Sequence, residues 1–397
     1  MHARGSILRH RFRGSRASTY ESQHGFPFAI VALTLIAMAA LPPLGPRSLA
    51  AEANGEQRLL YVAVPGIRNY LEYGGHGMLV FDIDSGHRFV KRIATAGLDD
   101  NGRPLNVKGV CASALSRRIY ISTIRTLMSL DLVSEQIVWE RAYEGGCDRM
   151  AISPDGKTIY LPSYEQDHWH VIDALSGDLI VKIVPKSGAH NTAYALDGRE
   201  AYLAGLRSPL LAVSDTARHA VVRSVGPFSA SVRPFTVNGR RTFCFVNVNE
   251  LLGFEVGDLT SGRVLHRVEV QGYRPGPVKR HGCPSHGIGL TPDERELWLT
   301  DAANRRLHVF DATGMPPKQI DSIALRDEPG WVTFSLDGRF AYPSTGDVID
   351  VASRAIVTVL KDEKGADVQS EKMLEIDLRD GTPIRTGDQF GLGRVTD

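Results

Sequence analysis

Short apolar stretches recur along the chain, and turn-forming residues bound each of them. Within a stretch, apolar and polar positions alternate, which predicts β-strands with one buried face. The clearest unit is a strand, a turn of the Pro-Asp-Gly kind and a second strand that ends in an aromatic residue. Four segments show it: 150–160, 192–202, 288–298 and 332–342. An Asp-Gly turn between alternating strands predicts a β-hairpin.

A second recurring signal is an aspartate that ends a strand and opens a short polar turn. It occurs seven times, mostly a little over forty residues apart, at Asp82, Asp131, Asp173, Asp215, Asp258, Asp311 and Asp350. An aspartate carboxylate at such a position accepts hydrogen bonds from the backbone N–H groups that follow it, which closes the turn. We therefore expect these seven aspartates to be structural rather than catalytic.

Together the two signals predict four strands in each repeat, and units of this kind at this spacing are typical of β-propeller blades. The predicted fold is all-β, a seven-bladed β-propeller of four-stranded antiparallel blades. The first repeat lacks its innermost strand. Residues 372–378, near the C-terminus, are expected to supply it, so that N- and C-terminal strands pair in blade 1 and leave no exposed edge.

The third repeat carries the motif Ser-Pro-Asp-Gly at 153–156 with Ile-Tyr at 159–160, followed by Val-Ile-Asp at 171–173 and Ser-Gly at 176–177. This pattern resembles the YVTN-type β-propeller repeat family, within the lactonase-like and WD40-like propellers. The resemblance extends from about residue 58 to about residue 378. It implies a seven-bladed propeller and little about activity, because such families include binding proteins as well as lactonase-like enzymes.

The first 53 residues differ from the rest. A basic run precedes an apolar stretch at 26–41, and small residues follow around 48–51. This order predicts an export signal, with an uncleaved membrane anchor as the alternative. Residues 54–397 are then a single propeller domain with a C-terminal tail. We expect a periplasmic or secreted protein, with a membrane-anchored protein as second choice. Disulfides are permitted in these compartments, and the pairing of the four cysteines is open. They are Cys111, Cys147, Cys244 and Cys283.

Charge argues against a nucleic-acid partner, because 46 basic and 45 acidic residues give a formal net charge of +1 and no broad basic field. Membrane contact is expected only through the N-terminal segment, if it is retained. The remaining expected partners are a small molecule or another protein, at the face of the propeller that carries the long loops.

Aligning the blades on their hairpin turns places a ring of polar residues where the innermost strands start, around the mouth of the central channel. The ring consists of Lys108, Asp148, His190, Ser231 and His286. It is more titratable than packing requires, which is typical of a binding or catalytic pocket. The candidate ligand-binding residues beside it are Arg68, Tyr70, His76, Arg149, Asn191, Arg233 and Trp331.

Two functions fit this ring. The first is recognition of a small ligand or a protein partner at the channel mouth. The alternative is a lactonase-like hydrolase or lyase, with His190, His286, Asp148 and Lys108 as candidate acid–base groups. A metal-assisted form would use a divalent ion, for which the candidate ligands are His190, His286 and His281. The sequence does not decide whether the protein is an enzyme, and it does not place the glycine-rich tail at 387–394.

Overall fold

A computed structural model describes residues 55–396. They form seven antiparallel sheets arranged as the blades of a β-propeller, as predicted. The expected export signal or anchor at 1–53 lies outside the described residues. Between residues 55 and 396, no helix has the length and apolar character needed to cross a bilayer.

The strands follow one another in each blade from the channel outwards. Blade 1 contains β1 (Glu56–Val64), β2 (Gly77–Asp82) and β3 (Arg88–Ile93); blade 2 contains β4 (Val107–Ser113), β5 (Arg118–Thr123), β6 (Thr126–Asp131) and β7 (Ile137–Ala142). Blade 3 contains β8 (Ala151–Ile152), β9 (Thr158–Pro162), β10 (Trp169–Asp173) and β11 (Leu179–Ile183); blade 4 contains β12 (Ala189–Tyr194), β13 (Glu200–Gly205), β14 (Leu211–Asp215) and β15 (Ala220–Val225).

The remaining blades repeat this order. Blade 5 contains β16 (Val232–Val237), β17 (Phe243–Val248), β18 (Gly253–Asp258) and β19 (Val264–Glu269). Blade 6 contains β20 (Ile288–Leu290), β21 (Glu296–Asp301), β22 (Arg306–Asp311) and β23 (Lys318–Ala324), and blade 7 contains β24 (Val332–Phe334), β25 (Phe340–Pro343), β26 (Asp347–Asp350) and β27 (Ala355–Val359). The chain ends with β28 (Met373–Arg379) and β29 (Thr382–Thr386), and a 3₁₀ turn covers Leu71–Tyr73.

Two repeated features explain why each unit folds alike. All seven predicted aspartates accept a backbone N–H from two or three residues further on, at 2.7–3.0 Å. The second strand of every blade buries one aromatic side chain, exposed by 2% or less: Tyr61, Tyr120, Tyr160, Tyr202, Phe245, Trp298 and Tyr342. Rings of this size contribute most of the apolar area that packs adjacent sheets together.

The ring closes through the two ends of the chain. β28 pairs with β1 along a register that runs from Glu56 opposite Arg379 to Val62 opposite Met373. β28 also contacts the innermost strands of blades 2 and 7. The predicted closing strand is thus confirmed, and blade 1 gains a fifth strand, because the chain turns at 380–381 and β29 pairs with β28 on the channel side.

Beyond β29 the tail enters the central channel. The Gln389 side chain accepts the Val110 N–H at 3.2 Å and donates to the Met150 carbonyl at 3.3 Å. The Gly391 carbonyl accepts the N–H of Leu290 on the opposite side of the channel at 2.8 Å. A Cβ on Gly391 would lie 3.0 Å from the Gly289 Cα, so only glycine lets the tail lie this close to β20. The tail therefore ties blades 2, 3 and 6 together.

All four cysteines are buried and free. The disulfides that the sequence permits are therefore not formed in this structure. Burial raises the pKa of each thiol well above its usual range. These cysteines therefore act as small apolar core residues.

We predict that Gln389→Ala lowers the free energy of unfolding by about 2 kcal/mol, because it leaves the buried Val110 N–H and Met150 carbonyl unpaired. Gln136→Ala, which truncates an exposed glutamine, is the matched control and should change the free energy by less than about 0.5 kcal/mol. Urea unfolding followed by tryptophan fluorescence measures both. Equal effects would show that the tail does not stabilise the ring.

Candidate functional site

Four ring residues predicted from the repeat lie at the same end of the channel, where the innermost strands of their blades begin. Lys108, Asp148, His190 and His286 are all buried, with exposed fractions of 9%, 0%, 5% and 7%. Groups of this polarity are rarely buried unless they are paired. Their partners therefore define the site.

Asp148 is the centre of one half of the site. Its Oδ2 accepts the Nδ1–H of His190 at 2.8 Å, and its Oδ1 lies 3.4 Å from the Lys108 Nζ. Burial alone would raise the pKa of Asp148, but Lys108 and then His190 lower it to about 2. Burial lowers the pKa of His190, and Asp148 offsets this only in part. At neutral pH the pair is therefore a carboxylate and a neutral imidazole whose Nε2 carries a lone pair.

Glu371 is the centre of the other half. Its Oε2 is paired with the Arg149 guanidinium and with the Lys372 ammonium, and its Oε1 lies 3.1 Å from His281 Nδ1. Burial would raise the pKa of Glu371, but Lys372 and Arg149 hold it well below its usual range. Burial, followed by Arg149, lowers the pKa of Lys372 to about 7. Three side chains, two cationic and one imidazole, thus meet at one buried carboxylate.

Arg149 joins the two halves. One of its terminal nitrogens lies 3.4 Å from His190 Nε2, and the other is paired with Glu371. Its guanidinium is stacked over the Trp331 ring, 4.5 Å from the ring centroid. The indole N–H of Trp331 in turn donates to the Gln389 carbonyl. The tail in the channel therefore supports the site from below.

Several buried polar atoms here lack a hydrogen-bond partner among the described residues. They are Arg149 Nε, His281 Nε2, and both the oxygen and the nitrogen of the Asn191 side-chain amide. Arg149 and Asn191 are neighbours, because a parallel β-bridge joins blades 3 and 4 between them. Buried polar groups are normally paired, so a group of unpaired ones indicates a missing water or ligand.

His281 and His286 stack on each other, with ring centroids 5.0 Å apart. His286 Nδ1 lies 2.8 Å from the Gly330 carbonyl, which can only accept, so Nδ1 carries the proton and Nε2 the lone pair. A Cβ on Gly330 would lie 1.9 Å from His281 Cε1 and 2.5 Å from a Glu371 oxygen. Only glycine at 330 therefore leaves room for the imidazole beside its carboxylate.

Two long loops meet above this cluster. Arg68, in the loop of blade 1, donates to the carbonyl of Arg280, which precedes blade 6, at 3.0 Å. The Arg280 side chain donates to the Tyr73 hydroxyl and to Asp327, both at 2.7 Å. On the other side, the Tyr164 ring lies 4.9 Å from the Lys108 Nζ. These loops cover the charged groups and shield them from water.

Other predicted site residues make contacts outside the charged cluster. His76 Nε2 lies 3.2 Å from the Ala96 carbonyl within blade 1. Arg233 donates to the Gly282 carbonyl at 3.2 Å and so supports the segment that carries His281. Tyr70 packs edge-on against Tyr73. The Ser231 carbonyl accepts the N–H of Asn249 at 3.2 Å.

The repeat pattern does not predict Glu371 and Lys372 as site residues, although Lys372 belongs to the predicted closing strand. A signal was present. In the other blades, the ring position lies about seven residues before the hairpin turn. Counting back seven positions from the turn residue Asp380 reaches Met373, which directly follows Glu371 and Lys372. The loop residue Arg280 carried no repeat signal, because the connection before blade 6 has no counterpart in the other blades.

Comparison with known proteins adds little to the geometry. No family model matches the chain. No curated protein matches it. Among solved structures, a chain of Kuenenia stuttgartiensis hydrazine synthase is similar at 15% identity with a TM-score of 0.44, covering 68% of this chain and 100% of that one. A similarity at this level carries no inference about activity.

We predict that removing the Glu371 carboxylate alone destabilises the fold at least as much as removing it together with the two cations paired with it. Glu371→Gln leaves Arg149 and Lys372 without their carboxylate and should lower the free energy of unfolding by about 3 kcal/mol. The triple variant Arg149→Met, Glu371→Leu, Lys372→Met should be at least as stable as the single variant. Urea unfolding compares them, and a triple variant less stable than Glu371→Gln would contradict this interpretation.

Proposed function

We propose that the protein binds a small anionic molecule, bearing at least one carboxylate, at the mouth of the channel. One observation carries this proposal: a buried cluster in which three cationic side chains face two carboxylates. The cations are Lys108, Arg149 and Lys372, and the carboxylates are Asp148 and Glu371. When Lys372 is protonated, a ligand with one negative charge would balance the cluster.

Stability alone is a poor reason for such a cluster, because buried ion pairs rarely contribute more than an apolar replacement of similar volume. The unpaired atoms favour recognition instead. Arg149 Nε and the Asn191 amide nitrogen are donors, which call for acceptors on the missing partner, whereas the unpaired Asn191 amide oxygen calls for a donor such as water. A carboxylate supplies two oxygens in one plane, which suits a guanidinium.

The covering loops favour a small molecule over a protein partner. The unpaired donors are buried, and the contact between Arg68 and Arg280 joins the loops above the cluster, so a folded protein surface would not reach them. Exclusion of water strengthens electrostatic attraction, because the effective dielectric constant falls with burial. Entry would require the contact between Arg68 and Arg280 to open.

A specific observation also supports the second candidate, a hydrolase or lyase. The hydrogen bond between Asp148 and His190 orients the His190 imidazole as a general base requires. The His286 ring lies nearby, with its centroid 6.5 Å from the centroid of the His190 ring. The metal-assisted form would rely on a different set from the one expected. His281, His286 and Glu371 have ligand atoms within 4.8 Å of one another, whereas His190 is held by Asp148.

We predict that succinate raises the melting temperature of the protein in a saturable way, and that Lys108→Met weakens its apparent affinity about ten-fold or more, because a buried charge-assisted contact is lost. Differential scanning fluorimetry measures both. Lys318→Met, at an exposed position on blade 6, should bind as the native protein does. Uncharged succinamide should give no shift. A shift by succinamide, or equal affinity in Lys108→Met, would contradict the proposal.

Metal analysis separates the two candidates. The metal-assisted enzyme requires about one zinc or manganese ion per chain, and His281→Ala should remove it. For the anion-binding protein we expect substoichiometric metal, and succinate binding that persists in a chelator. Elemental analysis of purified protein, followed by fluorimetry with EDTA, distinguishes them. Stoichiometric metal together with loss of binding in EDTA would favour the enzyme.

A further inference from the structure

A pair of histidines in blade 3 has no part in the charged cluster. His168 directly precedes β10, and His170 is the second residue of that strand. Side chains two positions apart on a strand point to the same face of the sheet. Trp169 between them points to the other face, where it is fully buried and donates its indole N–H to the Thr192 hydroxyl at 2.8 Å. The tryptophan therefore fixes the orientation in which the two imidazoles project together.

The two imidazole rings meet through their Nε2 atoms, which lie 3.2 Å apart. An ion that binds two imidazole nitrogens at about 2.0–2.1 Å separates them by about 3.3 Å in a tetrahedral site. At adjacent corners of a square-planar site the separation is about 2.9 Å. The observed distance lies between these two values. The nitrogens of His168 and His170 therefore already have the spacing of a metal chelate.

An oxygen atom of the loop before blade 3 lies beside the pair. The Glu144 carbonyl oxygen is 3.2 Å from His168 Nε2, the same distance that separates the two nitrogens. The next residue, Gly145, has a φ of 76°, and a Cβ there would lie 3.4 Å from His168 Cε1 and 3.1 Å from Gln166 Cγ. Glycine at 145 therefore lets the loop lie against the His168 ring. Imidazole nitrogens together with oxygen ligands suit divalent transition-metal ions.

Lys182 is the cation beside this pair. It lies opposite His170 in the pairing of β10 with β11, and its ammonium is paired with the Glu144 carboxylate. The Glu144 side chain is 78% exposed, so its carboxylate can exchange partners. An arriving cation competes with the Lys182 ammonium for this carboxylate. Lys182 therefore limits the affinity of the pair for a metal ion.

One proton serves both contacts of His168 Nε2. The Glu144 carbonyl can only accept, so Nε2 carries the proton and donates towards the carbonyl and towards His170 Nε2. Both distances, 3.2 Å, are at the long end of the range for hydrogen bonds from N–H groups. A metal ion between the two nitrogens takes the place of this proton, which moves to Nδ1 of His168. The half-buried His168 ring gives the ion access from solvent.

We propose that His168 and His170 chelate one divalent transition-metal ion of the class that prefers imidazole ligands, with Glu144 supplying an oxygen. The site is independent of the anion site and of the three candidate metal ligands at the channel mouth, because it shares no residue with either. Two imidazoles and one oxygen leave coordination positions for water, as in an open site. Such an ion exchanges readily, so purified protein should carry it substoichiometrically and regain it on titration.

The probe is Cu²⁺, which binds nitrogen and oxygen sites most tightly among the divalent ions of its row. Titration of the full chain, followed by EPR spectroscopy, should show one site with two imidazole nitrogens. Zn²⁺ should displace Cu²⁺ and Mg²⁺ should not, because Mg²⁺ prefers oxygen ligands. His168→Asn should weaken Cu²⁺ binding about ten-fold or more, since loss of a group that merely supports a ligand already costs about ten-fold. His266→Asn, at a half-buried histidine of β19, is the matched control and should bind as the native protein does.

A second variant gives a result that a purely structural histidine pair does not predict. Lys182→Met removes the neighbouring cation and frees the Glu144 carboxylate, so Cu²⁺ should bind several-fold more tightly. His281→Ala should bind Cu²⁺ at this site as the native protein does, which separates it from the candidate metal ligands at the channel mouth. Equal affinity in His168→Asn, unchanged affinity in Lys182→Met or an EPR spectrum with a single nitrogen would overturn the proposal and leave a histidine pair joined only by a hydrogen bond.

Discussion

Pairing of β28 with β1 is the interaction on which the rest of the molecule depends. A propeller ring that is not closed between its first and last blades is unstable, because it exposes an unpaired edge strand and the apolar faces of two blades. Here the closing register places Glu371 and Lys372 directly before β28, and the Lys372 ammonium donates to the Gly66 carbonyl across the seam. The same seam directs β29 inwards and sends the tail into the channel. Closure of the ring and assembly of the charged cluster are therefore one event.

In the charged cluster, the burial of charged groups lowers stability and at the same time favours recognition of a ligand. Arg149 contacts Glu371 and His190 and stacks on Trp331, so a single side chain links the carboxylates of both halves. Burying these groups costs desolvation free energy, which the pairs recover only when every charge is satisfied. Arg149 Nε has no hydrogen-bond partner between residues 55 and 396, so the hydrogen bonds of the cluster are incomplete within this part of the chain. We interpret the remaining electrostatic imbalance as the property that a ligand would use.

Much of the fold could be predicted from the sequence, because its signals are local and repeated. The aspartate turns, the aromatic position of each second strand and the closing strand follow from patterns that each blade repeats independently. The ring position of Lys108, Asp148, His190 and His286 followed in the same way. Glu371 was missed because its place depends on closure between distant segments, and Arg280 because a unique loop has no repeat to align with. The glycine-rich tail lacks alternation, and its hydrogen bonds are made with other blades rather than with a neighbouring strand.

The pairing of β28 with β1 also affects the rate at which the ring closes during folding. It joins residues as far apart as Glu56 and Arg379, 323 positions along the chain. Pairing across such a distance has a large loop-closure entropy and is slow compared with the formation of hairpins. Blades 2 to 7 can each form from local segments as the chain emerges, whereas the charged cluster needs Glu371, which is synthesised after all of them. A chain interrupted before residue 371 would retain many of its strands and lack the carboxylate at the centre of one half of the charged cluster.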